Sequence, residues 1–471
     1  MGALERAQQL IAETDPNKTL PPCEMREIEI GAEALFTVRN VLGHYLKAGV
    51  EIALIVDRKP IMRAGISAKE IVKTAIGLAY KVRYIELDDG HPELHASEDV
   101  IAEATAQAKG VHGIVTIGGG TISDIGKMTS CALGNLPHVV IQTAASVDGF
   151  TDNVSVILKS GVKRTVPSRW PEALIADTTL IAAAPEALNH AGYGEINSMF
   201  TAPADWRIAA LLGFEKKFHW GPIDLLKGVG EGIGEWAPGL KSADIESTEK
   251  LVSALAVRGI VTGVADTTAC LSGIEHLISH MLDMSQSANH KQVGQHGAKV
   301  GVGSVIASCV WEIIFTELPR YSELPQYEID KEALKAKLFS AFSALDSSGK
   351  LAAECWSDYE KKINWWQSNQ GEISAILKNW SSISGELRNL IKTPEEIIQG
   401  LASAGSAIQF ADLDPVITED VAHWAVAHSH LMRNRFVGID LLEFLGLWNA
   451  EVIDRVYQRL TEALEVIGAY K

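Results

Sequence analysis

Residues 113–127, Gly-Ile-Val-Thr-Ile-Gly-Gly-Gly-Thr-Ile-Ser-Asp-Ile-Gly-Lys, decide the fold. Residues 113–117 form a short apolar run rich in β-branched side chains, which predicts a buried strand. Gly118, Gly119 and Gly120 follow directly, and the spacing predicts a helix beginning around Thr121–Ser123. Glycines let a backbone approach a ligand closely, and a helix N-terminus presents free N–H groups to an anion. In α/β sheets a pyrophosphate is held this way, at the C-terminal edge of the strands. The pattern is neither GxGxxG nor the GxxxxGKS/T phosphate loop. By itself it reads equally as a tight strand-to-helix turn.

Outward from this stretch the same alternation continues. Glu51–Asp57 (EIALIVD), residues 83–87 and His138–Gln142 (HVVIQ) are strand-like, while residues 68–80 and 100–108 have helical spacing. Strands separated by helices of this length predict βαβ units and a parallel sheet. After about residue 186 the β-runs largely stop. Helical patterns take over at 251–264, 273–282, 303–315, 331–345 and 441–467. The expected architecture is therefore an α/β parallel-sheet domain over residues 1–185 and an all-helical domain over 186–471. Residues 346–400 are polar and rich in tryptophan (Trp356, Trp365, Trp366, Trp380), which predicts surface helices whose aromatics pack locally.

The chain has 471 residues, too many for one ordinary core. A formal net charge of −17 argues against nucleic-acid binding, which needs clustered Lys and Arg. It leaves room for an acidic substrate held in a local basic pocket. The five cysteines, Cys23, Cys131, Cys270, Cys309 and Cys355, form no CxxC or CxxH pair, so neither a disulfide framework nor a zinc finger is expected. A reducing, cytoplasmic setting fits. Residues 1–15 read as a short amphipathic helix without a signal-peptide core, and no run of 18 apolar residues predicts a membrane span.

Two further stretches carry chemistry. Residues 142–152 (QTAASVDGFTD) place small hydroxylated residues and an Asp-Gly pair at a strand end. Thr143 and Ser146 suit a cofactor, and Asp148 suits a substrate hydroxyl; an ordinary Asp-Gly turn explains the same residues. In the helical half, Glu195, His276 and His296 each sit among glycines. His276 and His280 are four residues apart and share one helix face. One carboxylate and two imidazoles make an open, catalytic-type metal site suited to Zn, Ni or Fe. Among 14 histidines, His290, His423, His428 and His430 compete with this choice.

Taken in order, residues 118–127, 143–149, 175–178, 191–195, 205–206, 273–280 and 296–303, with the run 432–448, resemble the superfamily of dehydroquinate synthases, iron-type alcohol dehydrogenases and glycerol-1-phosphate dehydrogenases. The nearest resemblance is to glycerol-1-phosphate dehydrogenases of the bacterial type. It implies a dehydroquinate synthase-like fold, a Rossmann-like first domain and an all-helical second one. It implies that Gly118, Gly119, Gly120, Thr121 and Ile122, with Asp124, hold the NAD or NADP pyrophosphate, and that Thr143 and Ser146 line the nicotinamide. Glu195, His276 and His296 would bind one divalent metal, and His280 and Asp148 would serve the substrate. The implied reaction is reduction of dihydroxyacetone phosphate to sn-glycerol 1-phosphate, in a homodimer, with the metal as Lewis acid and the nicotinamide as hydride donor.

Four positions depart from that pattern. Glu195 stands where an aspartate is usual, Val147 where a histidine is common, and Asp152 where a serine contacts cofactor. Residues 268–271 read Thr-Ala-Cys-Leu where Arg-Pro-Ala is usual. A glutamate ligand is typical of dehydroquinate synthases, so a sugar-phosphate cyclase is the rival reading. Those enzymes place a lysine three residues on, where this chain has Ser198. A polyol dehydrogenase for an unphosphorylated substrate and a metal-less binding protein on the same fold also fit these departures. Lys163, Arg164, Arg433 and Arg435 are the candidate cations for a substrate phosphate.

Overall fold

The computed structural model describes residues 2–159, 162–320 and 328–469, except for the side chains of residues 162 and 163. Six parallel strands form the main sheet: β1 (Glu27–Gly31), β2 (Glu51–Asp57), β3 (Lys81–Leu87), β4 (Ile114–Gly118), β5 (His138–Gln142) and β6 (Ala173–Asp177). Their spatial order is β1-β6-β5-β4-β2-β3. In β2, Ile52, Leu54 and Val56 enter one core with Ile117, Ile141 and Ile175. Ala53 and Ile55 enter another, on the opposite face, with Ile114 and Ile125. Burial of both faces is why these strands read as continuous apolar runs rather than alternating ones.

The four expected strands lie at their expected places. Residue pattern predicts neither β1 nor β6, nor the antiparallel hairpin Val154–Lys159/Val162–Pro167. β1 is an edge strand with no fully buried residue, and its Glu-Ile-Glu-Ile run is too short for a clear signal. The chain passes from β2 outward to β3 and then returns to the other side of β2 to form β4. This reversal puts the C-terminal ends of β2 and β4 at the position where open α/β sheets bind ligands.

The chain folds into two compact units. The first holds Met1–Gly192 and His219–Asp266, and the second holds Tyr193–Phe218 and Thr267–Lys471. The units thus differ from a division at residue 185, because helices after that point belong with the sheet. The long helix Ile245–Ala265 packs against Trp220–Gly230, the N-terminal helix Ala3–Thr14 and β1. Its residues Leu251, Leu255, Ile260 and Val261 are buried. Helical periodicity identifies such a segment but not the unit that its apolar side covers.

Among the described residues the second unit is entirely helical. His296–Glu317 is its central helix, apolar on all sides because it is enclosed. Extended to Arg320, it is long and apolar enough to cross a membrane, yet 89 % of its most apolar stretch is buried inside the protein. The helical pattern at 441–467 is two helices, Gly438–Phe444 and Ala450–Ile467, separated at Gly446, whose φ is 74°. Trp366 and Trp380, expected on surface helices, are core residues, and Trp366 stacks on Phe436 at 6.4 Å.

Candidate functional site

Three residues of the second unit bring together one carboxylate and two imidazoles. Glu195 lies in the last turn of the helix Glu186–Ile196, His276 in the first turn of Ile274–Ala288, and His296 opens His296–Glu317. One donor atom from each lies within 4.8 Å of the others. His276 Nε2 is 3.2 Å from Glu195 Oε1, and His296 Nε2 is 3.8 Å from Glu195 Oε2. Glu195 and His276 are buried, while His296 is half-buried.

Glycines make this convergence possible. A Cβ on Gly194 would come within 2.3 Å of the Gly297 carbonyl oxygen, and one on Gly301 within 2.8 Å of Gly194 Cα. The helices carrying Glu195 and His296 therefore touch backbone to backbone, as only residues without side chains allow. The helix bearing His276 starts at a glycine N-cap, Gly273, which has no capping side chain. Its orphan donors are satisfied from elsewhere. Ile274 N–H donates to Asp205 Oδ2 at 2.9 Å, and Gly273 N–H to Glu275 Oε1 at 2.6 Å. Asp205 Oδ1 accepts from Gly438 N–H at 2.8 Å, tying the C-terminal region to the same turn.

Burial disfavours a charged His276, but hydrogen bonds that its ring donates to Glu195 and then Glu275 outweigh it and raise its pKa to about 9. Burial, reinforced by the nearby Glu275, holds the Asp205 carboxyl well above the usual carboxylate range. Two carboxylates flanking one imidazole favour positive charge between them. This donor set of one carboxylate and two imidazoles fits a divalent Zn, Ni or Fe ion and leaves coordination positions for other groups.

His280 lies one turn beyond His276. Its ring centroid is 6.3 Å from that of His276 and 5.5 Å from that of His296, on which it stacks. It also groups with Asp283 and His296, but Asp283 forms a buried ion pair with Lys299. A third cluster, Asp89, His91 and His95, lies on a loop of the first unit. There Asp89 accepts from His91 N–H at 3.1 Å, His95 N–H at 3.0 Å and His95 Nδ1 at 2.7 Å, which accounts for the carboxylate as a turn former.

The glycine turn belongs to the first unit. β4 ends at Gly118, and the helix Gly120–Ala132 begins one residue ahead of the expected start, with Gly119 as N-cap. A Cβ on Gly118 would press on Ile122 at 2.9 Å, and one on Gly120 would meet Val147 at 3.0 Å. At Gly119 it would meet nothing within 4 Å. Open space thus lies beside the N-cap Gly119, where a helix N-terminus can take a diphosphate. Ile122 is buried, and Thr121 is half-buried. Asp124 turns elsewhere: its carboxylate pairs with Lys127 at 3.1 Å and accepts Val156 N–H at 3.2 Å. Its oxygens are thus committed to the protein rather than to the turn's open side.

Thr143 N–H donates to the Gly118 carbonyl at 3.2 Å, so residues 143–148 begin beside the turn. Thr143 is buried, and Ser146 and Asp148 are half-buried. Asp148 Oδ2 accepts from Arg258 Nη2 at 3.0 Å, and the arginine side chain is fully buried. Lys127, also buried, reaches Gly149 O at 2.9 Å and Asp152 Oδ1 at 2.6 Å. Sequence reasoning assigns no role to Arg258, Glu275, Asp205 or Thr201. Glu275 and Asp205 lie inside the runs 273–280 and 205–206, and for Glu275 an acidic residue beside His276 is the available signal. Arg258 sits in an ordinary helical pattern and carries none.

The competing histidines lie in other surroundings. His423 stacks on Tyr457 at 3.8 Å, His428 Nδ1 is 2.8 Å from Trp424 O, and His430 is buried 3.3 Å from Glu443. His290 takes a positive φ of 53° after the helix Ile274–Ala288. Of the candidate phosphate cations, Arg435 is engaged by Ser272 O at 2.6 Å and Thr268 Oγ1 at 2.5 Å. The side chain of Lys163 lies outside the described residues.

A family model for iron-containing alcohol dehydrogenases matches residues 29–185. A glycerol-1-phosphate dehydrogenase (NAD(P)+) of Pyrococcus horikoshii is 30 % identical over 281 residues, covering 60 % of this chain and 77 % of that protein. The enzyme so named from Geobacillus thermodenitrificans is 29 % identical over 299 residues, 61 % and 70 % of the two chains. Among solved structures, glycerol dehydrogenase from Schizosaccharomyces pombe matches with a TM-score of 0.59 at 14 % identity, covering 95 % of this chain and 92 % of that one. An iron-containing alcohol dehydrogenase matches with a TM-score of 0.55 at 13 % identity, over 94 % and 98 % of the two chains. At these identities the structural likeness is one of fold.

Proposed function

This chain belongs to the glycerol-1-phosphate dehydrogenase family, within the iron-containing alcohol dehydrogenases, and we propose that it interconverts dihydroxyacetone phosphate and sn-glycerol 1-phosphate with NAD(P) and a divalent metal. The observation that supports this reading is the approach of Glu195, His276 and His296 to within 4.8 Å, at the positions where the resemblance implies metal ligands. When bound, the nicotinamide supplies the hydride and the metal supplies Lewis acidity toward a carbonyl.

The chain's own residues have these proposed tasks. Glu195, His276 and His296 hold the ion through one oxygen and two nitrogens. The N–H groups at the start of the helix Gly120–Ala132 bind the diphosphate over Gly119, and Thr121 adds a hydroxyl. Thr143 and Ser146 orient the nicotinamide side. His280 holds a proton within reach of the substrate oxygen. Asp148 accepts from a substrate hydroxyl, in an orientation fixed by Arg258. Asp124 supports the turn by anchoring Lys127 and Val156. Arg164 and Arg433 are candidates for the substrate phosphate, and Arg435 donates to the backbone carbonyl of Ser272. The choice among Zn, Ni and Fe, the homodimer and the cytoplasmic location are parts of the same proposal.

The test follows absorbance at 340 nm, the ordinary nicotinamide band, with purified protein, NADH or NADPH, dihydroxyacetone phosphate and Zn, Ni or Fe in turn. Net, metal-dependent loss of reduced nicotinamide supports the proposal. Glu195 favours a second reading, a sugar-phosphate cyclase, in which nicotinamide is regenerated and the absorbance stays level. Gel filtration with light scattering tests the dimer.

A further inference from the structure

We infer that Glu275 is a positioning residue for the metal site: it fixes the tautomer and the direction of the His276 ring, and so sets how tightly the site holds its ion. The inference rests on the metal reading above. Glu275 has no exposed surface and no share in the ligand set. Its Oε1 lies 3.0 Å from His276 Nδ1, while His276 Nε2 lies 3.2 Å from Glu195 Oε1. The two nitrogens of one ring thus face two carboxylates. With Nδ1–H donating to Glu275, the Nε2 lone pair is directed toward Glu195 and His296, where the ion is proposed.

Glu275 is itself held. Oε1 accepts Gly273 N–H at 2.6 Å, and Oε2 accepts the Thr201 hydroxyl at 3.0 Å. Its backbone is enclosed as well, since a Cβ on Gly303 would come within 2.7 Å of the Glu275 carbonyl oxygen. A carboxylate with both oxygens occupied and its backbone packed cannot follow the ring if the ring turns. It therefore restrains the imidazole rather than merely accompanying it. A carboxylate behind a metal-binding histidine raises the basicity of the coordinating nitrogen, and losing such a partner lowers metal affinity by about 10–100-fold.

The experiment measures Zn2+ affinity by competition with a chromophoric chelator, and the visible spectrum of the Co2+-loaded protein, for the full chain and for Glu275→Gln, Glu275→Leu and Thr201→Val. Glu275→Gln keeps an acceptor but loses the charge, and about a tenfold loss of affinity is expected. Glu275→Leu frees the ring, and a loss nearer 100-fold with a shifted Co2+ spectrum is expected. Thr201→Val releases one oxygen of Glu275, and a loss of a few-fold is expected. A purely structural role would lower the melting temperature of the metal-free protein and leave affinity and spectrum as they were. That result for Glu275→Gln overturns the inference, and Glu275→Gln decides if Glu275→Leu does not fold. If the unaltered chain binds neither Zn2+ nor Co2+, the metal reading falls and this inference with it. Binding by the unaltered chain with unchanged variants overturns this inference alone.

Discussion

Arg258, within the helix Ile245–Ala265, donates to Asp148 Oδ2, from Nε at 3.1 Å and from Nη2 at 3.0 Å. The guanidinium is fully buried, while Asp148 keeps about a fifth of its side chain exposed. The contact joins a residue of the first 150 positions to a helix that the sequence pattern assigns to the other half of the chain.

Removing Arg258 takes from Asp148 a fully buried charged partner. Arg258→Met is expected to cost about 3 kcal/mol, measured as the shift in urea-unfolding free energy. Arg258→Met combined with Asp148→Asn is expected to cost less than the sum of the two single changes. Strict additivity would mean that the two side chains do not support each other.

Each metal-ligand variant should lose the ion. His276→Ala and His296→Ala are expected to bring zinc, measured by plasma emission after dialysis, from about one equivalent per chain to a small fraction of that. Zinc retained at the native level in both variants would place the ion elsewhere.

Gly194 tests whether backbone contact builds the cluster. Gly194→Ala puts a methyl 2.3 Å from the Gly297 carbonyl oxygen and changes no ligand. Expected are a destabilisation of about 1–3 kcal/mol by thermal unfolding and weaker zinc binding by chelator competition. Gly371→Ala, at a helical glycine with nothing within 4 Å of its added Cβ, serves as the control and should leave zinc affinity unchanged.

His138 gives the first unit an acid limit. Burial, with lesser effects from Arg169 and Lys127, pushes its pKa down to about 3, and its Nε2 lies 2.8 Å from the Thr116 hydroxyl. The unfolded chain takes up a proton near the ordinary histidine value of about 6.5, while the folded chain resists until about 3. The contribution of neutral His138 is therefore complete above about 6.5 and shrinks as the pH falls toward 3. Urea titrations at pH 7 and pH 5 should show His138→Gln losing less stability over that interval than the native chain. Equal losses would mean that another group sets the acid limit.

Lys362 and Asp440 form an ion pair with no exposed surface, at 2.8 Å, and the ammonium also donates to the carbonyls of His430 and Arg435. This buried charge ties a helix from residues 346–400, a region with no functional reading, to residues 430–440. Lys362→Met should cost about 3–5 kcal/mol by calorimetry, because Asp440 is left buried without its partner. A change below about 1 kcal/mol would show that water reaches the pair.

The residue order alone determined the parallel sheet, the glycine turn, the helical second half and the three residues of the candidate metal site. Those features are local: a β-run closed by glycines, apolar spacing, and histidines framed by glycines whose purpose is close backbone approach. Tertiary structure decided the rest. It assigned helices 219–266 to the sheet's unit, because periodicity gives a helix an apolar face but does not say what covers it. It put Trp366 and Trp380 in the core, turned Asp124 toward Lys127, occupied Arg435 with the Ser272 carbonyl and the Thr268 hydroxyl and set Arg258 on Asp148. It also closed the turn around His276 with Asp205, Thr201 and Glu275, of which Thr201 and Glu275 stand 74 positions apart. Pairings over such separations depend on how whole helices pack, and no window of neighbouring residues contains that information.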